Sequence, residues 1–164
     1  MTKSVSERLA DFVQRATYEN LPKEVVHQAK RCLLDTCGAV IAGSYHSTSG
    51  KIAQNYARSL EEPPKATIIG TDIMRSPQTA AFANGIAAHA LELDDGSRHA
   101  TYHPGSSIIP SSLALCEAEG KTARDLITAI AVGYEVSIRI GKSMNPHHYL
   151  KGFHPTGTVA HFGT

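Results

Sequence analysis

Residues 76–105 read SPQTAAFANGIAAHALELDDGSRHATYHPG, and a change of character inside that stretch decides the fold. Ser76-Pro77 has the form of a helix start: a capping hydroxyl, then a proline whose missing N–H costs nothing in the first turn. The residues behind it are small, with Ala80, Ala81, Ala83, Ala87, Ala88 and Ala90 around Gly85. Side chains this short let neighbouring helices approach closely, so the segment is predicted as the central helix of an all-α domain. From Asp94 to Gly105 the apolar period fails, and DDGSRHATYHPG is full of turn residues.

On either side, the chain reads as helix after helix. Val5, Leu9, Phe12, Val13 and Ala16 recur at three- and four-residue steps, one face of an amphipathic helix. Leu21-Pro22 opens a longer helix whose buried face is predicted as Val25, Val26, Ala29, Cys32, Leu33, Thr36, Cys37 and Val40, with Gly43 as its stop. Ser49 to Leu60 is a weaker helix, broken by Glu62-Pro63-Pro64. Ala66 to Gly70 is the only strand-like run, either a short strand or an extended connection. Beyond the irregular stretch, Ile108, Ile109, Leu113, Leu115 and Cys116 restore a helical period that ends at Gly120. Thr122 and Asp125 resemble a capping box before a long helix through Leu126, Ile130, Tyr134, Ile138 and Ile140. A second irregular, histidine-rich stretch runs from Asn145 to Pro155, and TGTVAHFGT then reads as the opening of another helix. Residues 1–164 are therefore expected to be part of one helical domain that continues in a longer protein.

Composition narrows the partners. The 164 residues are 41% hydrophobic and 19% charged, ordinary for a folded chain, with a formal net charge of +1. That balance offers nothing to neutralise a phosphate backbone, so nucleic acid is excluded as a main partner. No apolar run approaches the ~18 residues of a membrane span. Charges occupy the opening MTKSVSERLADF where a signal peptide needs an apolar core. Three cysteines, Cys32, Cys37 and Cys116, are too few for a disulfide framework and lie on apolar helix faces as small core residues. A reducing, cytoplasmic setting is expected.

Chemistry concentrates in the two irregular stretches. The first carries His89, Glu92, Asp94, Asp95, Ser97, Arg98, His99 and His103-Pro104-Gly105; the second carries His147, His148, Lys151 and His154-Pro155-Thr156. Histidine titrates near neutral pH and a neighbouring carboxylate tunes it, so the set suits proton transfer. Each His-Pro also precedes a predicted helix whose free N–H groups favour an anion, so two converging loops would hold two carboxylates of one small acid. Against this stand plainer readings. Asp94-Asp95-Gly96 is a common turn sequence, and His89 is expected to pack within its helix. His147 and His148 are expected to be solvated beside Asn145-Pro146, with His27 and His46 on the surface. A metal held by His99 and His103 would need helical spacing that Pro104-Gly105 denies, so no metal site is assigned. The zinc-protease, paired-cysteine, dinucleotide, P-loop and serine-elbow motifs are all absent from the sequence.

The segments HALELDDGSRHATYHPGSSIIPSSLAL, GYEVSIRIG and GFHPTGTVAHFG, in that order, resemble the MmgE/PrpD family. The opening VHQAKRCLLDTCG and the run ATIIG resemble it too, so the likeness spans essentially the whole chain. It implies a helical domain, here without the family's smaller α/β lid domain, in a homodimer that needs no metal or organic cofactor. It implies proton or CO₂ removal next to a carboxylate: dehydration of a 2-methylcitrate-like tricarboxylic acid first. Epimerisation or decarboxylation of a related di- or tricarboxylate, or a non-catalytic binding or dimerisation module, are the alternatives.

On the family pattern the acidic loop position falls on Glu92, where aspartate is common, followed by Asp94 and Asp95. The hydroxyl position falls near Ser97, and the two loop histidines on His103 and His154. The stretch between Asp95 and His103 is one residue longer than in the decarboxylase branch. His103 is read as base or acid supported by Glu92, Asp94 or Asp95, and His154 as a ligand of the substrate carboxylate or the partner acid. Arg98 and Lys151 are candidate cations. Lysines that the family supplies later in the chain would complete the site, so this piece by itself is expected to be inactive.

Overall fold

In a computed structural model, which describes residues 3–164, the chain is mostly helical, with one small clip and irregular loops between the helices. Its α-helices are α1 (Val5–Arg15), α2 (Lys23–His46), α3 (Thr48–Ser59), α4 (Pro77–His89), α5 (Gly105–Ala118), α6 (Ala123–Met144), α7 (His147–Leu150) and α8 (Pro155–Val159). Short 3₁₀ turns at Tyr18–Asn20 and Ala160–Phe162 complete the set. No helix among the described residues is long and apolar enough to cross a membrane.

The helix starts follow from their caps. Ser4 and Glu7 form a reciprocal capping box on α1, and Thr122 and Asp125 form another on α6. The Ser76 hydroxyl accepts from the backbone N–H of Thr79 at the head of α4, with Pro77 in the first turn. The α4 helix is the hub, packed against α2, α3 and α5, with Ala80, Ala83, Ala87 and Ala88 buried.

Gly43 does not end α2, which runs on to His46. Its role is closeness. A Cβ there would lie 1.9 Å from the carbonyl oxygen of Ala87, so α2 and α4 touch backbone to backbone. The expected α2 face is present at Ala29, Thr36 and Val40, with Val26, Cys32 and Leu33 packed beside Ala29, and it extends further along the helix. Ala29, Thr36, Ala39, Val40, Gly43 and Ser44 are buried, whereas Cys32, Leu33 and Cys37 are only half-buried. A second apolar cluster, Ala29, Ile109, Ile127 and Ile130, joins α2, α5 and α6. The α1 helix forms as its period predicts yet buries none of its residues; Val5 stays 71% exposed and Phe12 42%.

The strand-like run becomes one edge of a two-stranded antiparallel clip, β1 (Ala66–Thr67) and β2 (Met74–Arg75), with Ala66 opposite Arg75. Asn84, buried in α4, ties the clip down. Its side-chain amide donates to the Thr67 carbonyl at 2.9 Å, and its oxygen accepts from the Ile69 N–H at 2.9 Å. A buried amide with both ends paired fixes α4 against the clip. The three cysteines are free and half-buried, and burial raises all three thiols above their ordinary range.

Candidate active site

α4 ends at His89, whose side chain is partly buried. Glu92 follows in the left-handed region at φ 53°, its N–H bonded to the His89 carbonyl at 3.2 Å, and the chain turns back beneath the helix end. That reversal places Asp94 against the two rings that flank it. The Asp94 side chain is 0% exposed. His89 Nδ1 lies 3.0 Å from each Asp94 oxygen, and His103 Nδ1 lies 3.6 Å from Oδ2. The two imidazole centroids are 4.8 Å apart. The longer distance is outside hydrogen-bond range, and His103 Nδ1 is buried without a partner. Glu92 itself is exposed, with one oxygen 3.6 Å from the other nitrogen of His89.

Asp95 faces the opposite way. It accepts the backbone N–H of Gly105 at 2.8 Å and the hydroxyl of Tyr134 at 2.8 Å. The anion at the head of α5 is therefore the protein's own carboxylate, which corrects the expectation of an open anion seat there. Burial pushes the Asp95 carboxyl above its usual range, and Asp94 and Asp35 push the same way. The Tyr134 and Gly105 donors pull against it. Burial, then the Asp95 charge, hold the Tyr134 hydroxyl far above its ordinary range, so it serves as a donor.

The loop between these residues is anchored. Ser97 and Tyr102 form an isolated antiparallel bridge, with N–O distances of 2.8 and 3.3 Å. The buried Tyr102 hydroxyl donates to Ser137 Oγ at 2.6 Å. Burial pushes that hydroxyl up to about 12. Ala100 rests on α6 where Gly141 leaves room; a Cβ at Gly141 would lie 2.7 Å from that of Ala100. The Ser97 hydroxyl accepts from the Ala100 N–H at 3.4 Å, a turn contact. Arg98 and His99 are exposed on the outer rim.

The second loop does meet the first. The His103 N–H donates to Thr156 Oγ1 at 3.2 Å, and the His154 ring centroid is 6.4 Å from that of His89. His154 is exposed at the head of α8, a helix of only five residues. His148, expected in solvent, instead bonds Thr158 Oγ1 at 2.7 Å and stacks on Phe153. Lys151 is exposed, and among the described residues neither it nor Arg98 pairs with the histidine–aspartate group.

The structure thus brings together His103, Asp94, Glu92 and His154. It turns Asp95 and Ser97 to structural contacts and leaves Arg98 and Lys151 at the surface. His89, part of the first stretch but expected to pack within its helix, instead contacts the Asp94 carboxylate. Its signal was a histidine in the last turn of a helix with a carboxylate five residues on, a spacing that only the reversal after Glu92 makes close. One donor atom each from His89, Asp94 and His103 lies within 4.8 Å of the others, compact enough to consider a divalent cation. Yet His89 Nδ1 already faces both carboxylate oxygens at hydrogen-bonding distance, so the trio is read as a hydrogen-bonded acid–base group.

By fold, then, this is an all-α domain built round a small-residue helix, with a histidine–carboxylate group at that helix's end. It belongs to the MmgE/PrpD family: the MmgE/PrpD N-terminal domain matches residues 7–164. Among similar curated proteins, the cis-aconitate decarboxylase of Homo sapiens is 33% identical over 172 residues, covering 100% of this chain and 35% of that protein. The Mus musculus protein of the same name is 31% identical, over 100% of this chain and 34% of its own. Cis-aconitate decarboxylase of Aspergillus terreus is 30% identical, over 95% of this chain and 34% of its own. The chain spans about a third of the length of these relatives.

Proposed function

We propose that this domain forms the helical part of a lyase for a small tricarboxylate, working in a homodimer in the cytoplasm without metal or organic cofactor. The observation that supports it is the buried Asp94 carboxylate beside His103, with His154 next to the same group through the other loop. Dehydration takes a proton from the carbon beside a carboxylate and expels hydroxide from the neighbouring carbon, leaving a C=C bond and water. Decarboxylation releases CO₂ and returns a proton to the carbon left behind. Both need one group that holds a proton near a developing carbanion, and His103 fills that role with Asp94 balancing the charge of the imidazolium. His154 receives a substrate carboxylate or supplies the second proton. Glu92 borders the site, Arg98 and Lys151 are the exposed cations available at its rim, and Ser97 serves the loop rather than the substrate.

The names of the relatives favour decarboxylation of a cis-aconitate-like acid as the second reading. Dehydration of a 2-methylcitrate-like acid is the first that the sequence resemblance supplies. The test is proton NMR in D₂O on the full-length protein that carries this domain, given citrate, 2-methylcitrate and cis-aconitate in turn. Water loss, CO₂ loss or deuterium entry beside a carboxylate, abolished by His103→Ala, is the expected result. A folded protein that leaves all three acids unchanged, or a His103→Ala variant with normal turnover, defeats the proposal and favours a binding module.

A further inference from the structure

His89 lies beyond the residues assigned to proton transfer above, yet it makes the shortest contacts in the group. Its Nδ1 stands 3.0 Å from both oxygens of Asp94. The Nδ1 of His103 stands 3.6 Å from one of them and is buried without a partner. Among the described residues Asp94 has no hydrogen-bond partner other than His89, and its side chain is sealed from solvent. One carboxylate therefore faces two imidazoles and is bonded to one.

We infer that His89 is a positioning residue for His103 and acts through Asp94. The inference rests on the reading that His103 carries the proton. While the His103 ring is uncharged, the His89 N–H holds the carboxylate in place. When His103 takes a proton on Nε2, both its nitrogens carry hydrogen, and the one on Nδ1 points at a ready acceptor. A tilt of roughly half an ångström brings that contact within bonding range. The arrangement is that of an acid–base histidine oriented by a carboxylate, with a second donor keeping the carboxylate aimed while the first is idle.

The other titratable groups near the trio are few. Glu92 lies 3.6 Å from His89 Nε2, and the His154 ring is 6.4 Å from that of His89. Asp95 is turned away to Gly105 and Tyr134.

The test uses the full-length protein and its His89→Ala and His89→Asn variants. The asparagine amide places a donor near the position of Nδ1. Carbethoxylation of His103 by diethyl pyrocarbonate, located by peptide mass spectrometry across pH, reports the midpoint at which its ring loses a proton and needs no turnover. With His89→Ala the Asp94 charge falls undivided on His103, and the midpoint rises by about one pH unit. With His89→Asn it returns most of the way. For cis-aconitate or 2-methylcitrate, whichever is turned over, kcat at neutral pH falls about tenfold in His89→Ala with KM held within about twofold. A folded His89→Ala protein with an unmoved midpoint overturns the inference, as does His89→Asn shifted as far as alanine. Normal turnover by His103→Ala would instead sink the functional reading, while the His103 midpoint would still report the coupling.

Discussion

The backbone N–H of His103 donates to the side-chain oxygen of Thr156 at 3.2 Å, joining two loops that stand 53 residues apart in the chain. This bond works beside the Asn145 amide, which donates to the His99 carbonyl at 3.2 Å, and the packing of Ala100 and Tyr102 with Ala160 in holding the two His-Pro segments side by side. Thr156→Val keeps the shape and removes the acceptor. The expected cost is about 1 kcal/mol in urea unfolding, together with a larger loss of kcat than of substrate affinity. Unchanged kcat in Thr156→Val would mean that the loops are held together by other contacts.

Asp94→Asn keeps an oxygen for the His89 N–H but no longer carries the charge that answers a protonated His103. Turnover is expected to fall at least ~100-fold, as when the carboxylate of an acid–base triad is amidated. The variant's melting temperature stays within about 5 °C of the parent. Parallel thermal melts and NMR assays check both halves.

Asp95 makes a pH prediction. Burial raises its carboxyl above the ordinary value, so the folded chain holds that proton more tightly than the unfolded chain does. Its stabilising contribution is therefore complete below the unfolded value, about 3.9, and fades as pH climbs through the raised native value. Asp95→Asn cannot titrate there. The stability gap between wild type and variant should narrow as urea unfolding is repeated from about pH 3.5 toward neutrality; a gap that widens contradicts the assignment.

Two glycines of α2 should respond with opposite signs. A methyl at Gly43 would overlap the Ala87 carbonyl, which is backbone and has nowhere to go, so Gly43→Ala should cost about 3 kcal/mol or prevent folding. A methyl at Gly38 meets nothing within 4 Å, so Gly38→Ala should gain about 0.5 to 1 kcal/mol from reduced chain entropy. Chemical denaturation of the two variants side by side is the measurement.

Much of the helical plan was legible because periodicity and caps are local signals. The Ser76-Pro77 start and the Thr122–Asp125 box appear as expected. What was not legible depends on distance through space. Gly43 reads in sequence as a helix stop, and only the approach of α4 shows it to be a crossing point. The face of α1 has the right period, but nothing in the period says what covers it. His89 reads as a packed residue because the reversal after Glu92 requires a non-glycine residue at positive φ, which no sequence rule anticipates. Asp94 and Asp95 look interchangeable as letters, yet a one-residue step turns one toward imidazoles and the other toward the head of α5.

The bridge between Ser97 and Tyr102 has a consequence for how such loops diversify. It pinches Arg98, His99, Ala100 and Thr101 into a closed bight whose neck is fixed on both sides. Inside the bight Ala100 is fully buried against Gly141 and the His99 carbonyl accepts from the Asn145 amide, so its inner side is held to the end of α6 while Arg98 and His99 face outward. On the proposed reading, substitutions at the exposed Arg98 and His99 change the charge of the outer rim while the Ser97–Tyr102 neck stays paired.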